Sequence, residues 1–395
     1  MINYNSAEEE FIAGYLLGCS GNKGDISPEP IDADEEIWNA LPEPADNQAV
    51  FLFRGDINAL QGYIMTESMN YAPDITAEIT IDWGDGTIEN FSLITEREKE
   101  DYEQTGWRNY SKSYYHDYKI VKDYIVTVTL SNTDYLNFAY TGVGNSSYAF
   151  ISCIMAKYGK QLHRNRYGDG TFSNNNYQML KYLKISCDSN IVDGMFKYKY
   201  CLRKIEYDNK LTEIPNNCFE ECYCLKVDNW DFSKVTSVGS YAFERCNNLR
   251  EIILPKCTIV KSYAFSSLGN LRRVELPECI ELEENSFYHC EGLEIVKLPK
   301  CQIIGRGAFT IGISCNKLLE LSLPECIHIQ SGAFSFNYLL RKIIAPKCKQ
   351  IDGSAFRECY SLSYVEFAED CQYGSNVFDK CYSLYNRPDN SMPFE

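Results

Sequence analysis

Apolar positions in the C-terminal half of the chain recur with a long period, not a helical or strand one. Phe219, Phe243, Phe265, Phe287, Phe309, Phe334, Phe356 and Phe378 are separated by 24, 22, 22, 22, 25, 22 and 22 residues. A leucine row keeps step with them (Leu249, Leu271, Leu293, Leu318, Leu340, Leu362), and so does a proline row (Pro255, Pro277, Pro299, Pro324, Pro346). Each unit reads L-x-x-I/V-x-L-P-x-C, then a polar stretch, then A-F-x-x-C. Coincident rows of this kind mark a repeat array. One unit is a short strand and a return turn, which cannot bury its apolar side alone; stacking sets each Leu and Phe against its copy in the next turn. About nine turns at roughly 4.8 Å per strand predict a rod about 45 Å long. The proline removes a donor where the ladder should stop. The 25-residue step puts three extra residues into 310–317, as a bulged turn.

The pattern upstream is different. Glu78–Asp82 and Tyr124–Leu130 alternate apolar and polar residues, as half-buried strands do, and residues 48–53 supply an earlier strand. Trp83-Gly84-Asp85-Gly86-Thr87 follows the first of these, and His116-Asp117-Tyr118 precedes the second. Asp-Gly suits a strand reversal because φ > 0 costs little there. Residues 91–117 form a long connection carrying Tyr102, Trp107, Arg108, Tyr110, Tyr114 and Tyr115 among Ser, Asn and Gly. Rigid amphipathic rings with small polar neighbours suit recognition loops. They suit an interdomain joint as well. Trp107, Arg108, Tyr110, Tyr114 and Tyr115 are the candidate partner contacts.

At the N-terminus, residues 8–17 predict one short helix with Phe11, Ile12, Tyr15 and Leu16 on one side. Glu8, Glu9 and Glu10 fall in its first turn, where the helix dipole favours negative charge. A ten-residue helix is marginal alone in water, so it needs a surface. Pro28, Pro30, Pro42 and Pro44 then make a stiff acidic strap around a small 34–41 segment. Residues 1–45 are the candidate anchor, with packing on the protein's own domains as the alternative.

These residues carry two resemblances. The repeat units resemble the BspA-type leucine-rich repeats, which share the L-P and A-F-x-x-C signatures, over about 180–385. The stretch from Asn229 to Val235 is similar to the related W-D-x-S-x-V variant. W-G-D-G-T with H-x-Y resembles the PKD-type immunoglobulin-like sandwich over about 46–135. Lys122 departs from that pattern, which places a glycine before the last tyrosine. The fold class expected is therefore mainly β, a PKD/Ig-like β-sandwich followed by a leucine-rich-repeat solenoid. The expected divisions are 1–45, 46–135, a degenerate opening repeat with an inserted loop at 136–179, and the solenoid at 180–395. The resemblance implies binding or adhesion to proteins and surfaces, a spacer or platform role for the sandwich, and no catalysis.

Charge and cysteine usage narrow the picture. Of a formal net charge of −17, residues 1–50 hold −10, with Lys23 as their one base. No basic stripe exists to neutralise phosphates, which argues against nucleic acid. The start of the chain lacks the basic region and apolar run of a signal peptide, and no segment approaches the ~20 apolar residues of a membrane span. The eighteen cysteines are then expected as reduced thiols. Cys257, Cys279, Cys301, Cys326 and Cys348 read as small core residues. Cys201, Cys218, Cys222 and Cys224 lie close enough to suggest zinc, but two of them already fill repeat slots. Asp82 and Asp85 are calcium candidates or turn aspartates. No metal and no cofactor is expected.

No catalytic motif is present. The four histidines are His116, in the sandwich motif, His163, and His289 and His328 at outward repeat positions. Arg54-Gly55-Asp56 reads as accidental inside a strand-like run. The strand-face row Glu251, Arg273, Ile295, Glu320, Lys342 and Tyr364 mixes charge signs, as a solvated face does. The expected function is non-catalytic protein binding, adhesion or structure. A virion or phage-tail component made in the cytoplasm and docked by its N-terminus leads; a cell-surface adhesin of a bacterium or protist, or an intracellular scaffold, are the alternatives.

Overall fold

The computed structural model describes residues 33–53, 61–68, 78–92, 111–131, 136–143, 153–159, 180–185, 191–207, 211–228, 230–311, 317–385 and 387–388, with backbone alone at 61–68, 111–113 and 136–143. The chain divides into two compact units, Met1–Leu41 and Pro42–Glu395. In the first, α1 (Ala33–Ala40) carries Asp34, Glu35 and Glu36 in its opening turn, where they complement the helix dipole. The 34–41 segment of the expected strap is thus helical. The anchor candidates Phe11, Ile12, Tyr15 and Leu16 lie outside the described residues.

The second unit opens with β1 (Gln48–Phe53), β2 (Gln61–Ser68), β3 (Glu78–Asp82), β4 (Ile88–Ser92), β5 (Ser111–Asp117), β6 (Tyr124–Leu130), β7 (Leu136–Val143), β8 (Cys153–Tyr158), β9 (Tyr182–Ile185) and β10 (Lys204–Tyr207). Three of these form an antiparallel sheet in the order β5-β2-β7, and the other seven form a sheet in the order β10-β9-β8-β1-β6-β3-β4. The larger sheet changes direction at one point. β8 pairs antiparallel with β1 but parallel with β9, and β9 pairs parallel with β10. Lys204 stands beside Tyr182, 22 residues earlier, which is already the repeat step. One hydrogen-bonded sheet therefore runs from the N-terminal strands into the first turn of the repeat array.

From there the chain coils as a β-solenoid. Eight two-residue strands from Glu213–Ile214 to Gln372–Tyr373 form one parallel ladder. A second face carries Glu251–Ile253, Arg273–Glu275 and Ile295–Lys297, then Glu320–Ser322, Lys342–Ala345 and Tyr364–Phe367. The gap between these two triplets coincides with the 25-residue step. Residues 312–316, within that step, lie outside the described set. Inside, the rings of Phe196, Phe219, Phe243, Phe265, Phe287, Phe309, Phe334, Phe356 and Phe378 form one stack, with neighbouring centroids 5.2–5.7 Å apart. Phe309 and Phe334 stack at 5.4 Å, so the insertion is absorbed outside the core. Phe196 extends the row one turn before Phe219, the first of the regularly spaced phenylalanines.

Turn geometry explains A-F-x-x-C. The residues two before and two after each Phe have positive φ in most turns, for example Asn217 (54°) and Glu221 (59°), or Tyr241 (58°) and Arg245 (59°). That conformation is costly for non-glycine residues. It aims their N–H groups along the rod, where Asn217 and Glu221 donate to Ser240 and Glu244 carbonyls at 2.8 Å. In five turns the cysteine three after the Phe donates its thiol to the preceding turn's Phe carbonyl. Cys222, Cys246, Cys290, Cys359 and Cys381 do so at 3.0–3.1 Å.

Candidate binding surface

The outer side of the solenoid strands carries charged side chains, several of them held by ion pairs. Glu275 receives Arg273 at 2.7 Å and Lys297, from the next turn, at 2.5 Å. The Lys297 hydrogen bond leads in holding the Glu275 carboxyl below its ordinary value. Other cross-turn pairs are Lys300–Glu278, Lys347–Glu325 and Lys317–Glu294, at 2.6–2.9 Å. Ile295 and Tyr364 are exposed within this row, and Lys342 lies 5.2 Å over the Tyr364 ring. Arg273, Glu275 and Lys297 thus hold one another on this face.

A second surface is aromatic. Four residues after the Phe position, tyrosines stack along the rod: Tyr200 on Tyr223 at 5.4 Å, then Tyr338 on Tyr360 at 4.9 Å and Tyr360 on Tyr382 at 5.5 Å. Tyr241 and Tyr263 stack at 4.9 Å one row over. Tyr223 and Tyr360 donate their hydroxyls to Glu221 and Glu358, two residues back, which fixes the ring planes. Glu358 also holds Lys380 from the next turn at 2.7 Å. Tyr360 and Tyr382 are 37% and 49% exposed. Leu339 and Tyr385 are exposed nearby in sequence. The row is an ordered strip of tyrosine edges on a rigid support. Its signal in the sequence is the 22-residue spacing of Tyr338, Tyr360 and Tyr382.

Among the sequence-predicted contacts, Tyr114 and Tyr115 are described and Trp107, Arg108 and Tyr110 are not. Ser111–Asp117 is a strand, not part of a connection. Alternate side chains of a strand face opposite sides, so the two tyrosines separate. Tyr114 is 3% exposed, with its ring 4.7 Å from that of Phe91, while Tyr115 is 48% exposed. Tyr114 is a core residue, which corrects its place in the contact set.

The W-G-D-G-T turn is built for rigidity. Trp83 is fully buried and donates its indole N–H to Glu89 at 2.7 Å. Asp82 accepts the Gly84 N–H and Asp85 the Thr87 N–H, each at 3.0 Å. The second Asp85 oxygen meets His116 Nε2 at 2.8 Å, and the His116 ring stacks on Trp83 at 5.1 Å. Burial pushes the Asp85 carboxyl up, but the His116 and Thr87 hydrogen bonds outweigh it and leave it below its ordinary value. Tyr118 donates to the Trp83 carbonyl at 2.9 Å and stacks on Tyr124 at 3.8 Å, and Lys122 lies 5.0 Å over the Tyr124 ring. A Cβ on Gly84 (φ +78°) would sit 2.3 Å from the Ile125 carbonyl oxygen, so glycine is required there.

The thiols pack as small polar core groups. All fifteen described cysteines are free. In the second ladder, Cys257, Cys279, Cys301 and Cys348 each donate to the carbonyl two residues on, at 3.2–3.3 Å. Burial pushes Cys222, Cys257 and Cys290 up to about 12, which keeps them protonated and unreactive. Lys199 occupies the cysteine slot of the opening turn, and burial lowers its ammonium to about 8. Among the described residues no three His, Cys, Asp or Glu groups are arranged to hold a metal ion, and no helix is long and apolar enough to cross a membrane. His328 meets Asp352 at 2.9 Å and His289 meets Glu291 at 3.6 Å; both pairs are half-buried surface contacts. Arg54, Gly55, Asp56 and His163 lie outside the described residues.

Stacked parallel strands of 22-residue step, with Leu and Phe rows inside and thiols bonded to the preceding turn in five turns, define a leucine-rich-repeat solenoid. The chain belongs to the BspA type leucine-rich repeat family, whose profile matches residues 129–226, 223–316 and 258–385, more than half of the chain. Among solved structures it is similar to a leucine-rich repeat protein of T. pallidum (28% identity, TM-score 0.35, 40% of this chain and 74% of that one). It is also similar to one from Bacteroides ovatus (16%, TM-score 0.38, 63% and 76%). A third likeness is a leucine-rich cell surface protein of Faecalibacterium prausnitzii (18%, TM-score 0.36, 62% and 77%). No curated protein matches the chain.

Proposed function

We propose that this chain is a non-catalytic protein-binding or adhesion molecule that presents the Tyr338–Tyr360–Tyr382 strip as its contact surface. The exposed, stacked row carries the reading. Its rings are held by the turn-to-turn repeat and by Glu358, so little conformational entropy remains to be lost on binding. Aromatic side chains in such settings dominate interface energetics. Residues 46–135 act as a PKD-like platform, and Tyr115 with the 101–110 segment is a second contact region. The family match supports binding over catalysis. The particle-docking reading rests on residues 1–45 alone, and the contact strip requires no virion.

The test is an interaction screen of the full chain, by biolayer interferometry against an array of purified cell-surface and soluble proteins. A triple variant, Tyr338→Ser with Tyr360→Ser and Tyr382→Ser, runs in parallel. Partners held by the strip should weaken by about tenfold or more while the melting temperature stays within a few degrees. If every partner binds the variant as well as the parent, the strip is not the contact surface.

A further inference from the structure

Beside the tyrosine strip the chain repeats Tyr-x-Leu-x on three successive turns: Tyr338-Leu339-Leu340-Arg341, Tyr360-Ser361-Leu362-Ser363 and Tyr382-Ser383-Leu384-Tyr385. The third residue of each, a leucine, is at most 3% exposed, so the residues on either side of it stand on the outside. Hydrogen bonds hold the three turns in register. The Ser361 and Ser363 N–H groups donate to the Tyr338 and Arg341 carbonyls at 3.1 and 3.0 Å, and the Ser383 hydroxyl donates to the Tyr360 carbonyl at 2.8 Å. One turn earlier, the Leu319 carbonyl accepts the Arg341 N–H at 2.7 Å. Along the rod, Arg341 therefore stands between Leu319 and Ser363, with Leu339 two residues before it on the same side. Leu319, Leu339, Tyr360, Tyr382 and Tyr385 are all exposed.

Arg341 is the charge that this surface leaves over. Its side chain is exposed, and its guanidinium has no hydrogen bond or ion pair among the described residues. The charges around it are engaged with one another. Glu358 holds the Tyr360 hydroxyl, Arg357 and Lys380, and Asp379 meets Arg357 at 3.3 Å. Glu320 stands opposite Lys342 in the strand register, and Lys342 lies over the Tyr364 ring. Glu366 accepts the Tyr364 hydroxyl. In the row of Arg341 itself, the neighbours Leu319 and Ser363 bring no acid. Arginine among exposed tyrosines is the composition that carries binding energy at protein interfaces, and a guanidinium matches a carboxylate with two parallel hydrogen bonds.

We infer that the partner held by the strip presents a carboxylate among apolar side chains, an acidic-apolar protein segment whose Asp or Glu is taken by Arg341. The inference rests on the strip being the contact surface and names what that surface recognises. Leu319 and Leu339 meet the apolar part of the segment on one side of the guanidinium, and Tyr360, Tyr382 and Tyr385 meet it on the other. Covering this surface excludes water from the ion pair, which strengthens it. The chain's net charge of −17 opposes an acidic partner at long range, so recognition depends on the contact at Arg341.

The experiment uses the full chain and three labelled, end-blocked peptides in fluorescence anisotropy at ~50 mM salt. They are Gly-Leu-Phe-Asp-Phe-Leu-Gly and its counterparts with Asn or Lys in place of Asp. The Asp peptide should bind about tenfold or more tightly than the Asn peptide, and the Lys peptide should bind least. Arg341→Glu should reverse that order while leaving the melting temperature unchanged. Arg272→Glu, at the same repeat position three turns earlier and with the same net charge, should keep the order of the parent. Equal binding of the Asp and Asn peptides, binding of neither, or equal loss in the Arg272→Glu control overturns the inference and leaves the strip itself standing. If the Tyr338, Tyr360 and Tyr382 triple variant binds the Asp peptide as tightly as the parent, the strip reading is what fails. Binding that emerges only after removal of residues 389–395 assigns the surface to the chain's own tail. A dimer in sedimentation that Arg341→Glu dissociates assigns it to a second copy. Either of these outcomes overturns the inference.

Discussion

Asn337 donates its side-chain amide to the carbonyl of Phe309, 28 residues earlier, at 2.8 Å. In five other turns a cysteine thiol makes this bond, as Cys359 does to Phe334 at 3.1 Å. Asn337 also reaches the carbonyls of Phe334 and Ser335. It thus ties together the two turns separated by the 25-residue step. Where the turn is longest, the stronger donor stands in the slot.

Replacing Asn337 by Leu should cost about 1–3 kcal/mol, since a fully buried network is lost. Leu268 fills the same slot in another turn, which keeps the expected cost moderate. Asn337→Cys should recover most of the loss. Urea unfolding of the three proteins decides it, and a Cys variant no better than Leu would mean that the hydrogen bond is not the stabilising feature.

Phe287 is fully buried between Phe265 and Phe309. Phe287→Ala should cost about 3–5 kcal/mol. Glu291→Ala, nearby on the surface, should cost under about 0.5 kcal/mol. Similar melting curves for the two variants would place Phe287 outside the core.

Glu43 holds the buried Lys157 and the half-buried Lys184, each at 2.7 Å. The Lys157 hydrogen bond, then that of Lys184, keeps its carboxyl below the ordinary value. A depressed carboxylate stabilises the fold above its unfolded pKa of about 4.3 and stops doing so as pH falls through the lower folded value. Glu43 is itself 61% exposed, so solvent screens part of the attraction. Glu43→Gln should lose about 1–2 kcal/mol at neutral pH, and the gap should close towards about pH 2.5. Denaturation midpoints at both pH values test this; a gap of constant size would assign the loss to packing.

Thirteen of the described cysteines are buried; burial raises Cys222, Cys257 and Cys290, and the hydrogen bond with a neighbouring thiol, then burial, raises Cys301 and Cys348. Native protein at pH 7 should therefore leave these thirteen unmodified by a thiol reagent over minutes. Denatured, unreduced protein should yield close to eighteen equivalents, the full cysteine content. A low count after denaturation would establish disulfides in place of thiols.

The repeat and its core were legible in the sequence because each turn buries the same positions. A pattern that stabilises by stacking on its own copy must recur along the chain. Phe219 to Phe378, the leucine row and the thiol slots were all readable for that reason, and so was the W-G-D-G-T turn, whose glycines answer local backbone demands. Tertiary structure alone decided what depends on neighbours that are not copies. Phe196 and Lys199 join the solenoid because the turn after them supplies their partners, although their own turn departs from the motif. β8 turns one sheet from antiparallel to parallel pairing because β1 lies on one side of it and β9 on the other, and β1 lies about a hundred residues away in the chain. Tyr114 and Tyr115 divide between core and solvent because their segment is a strand.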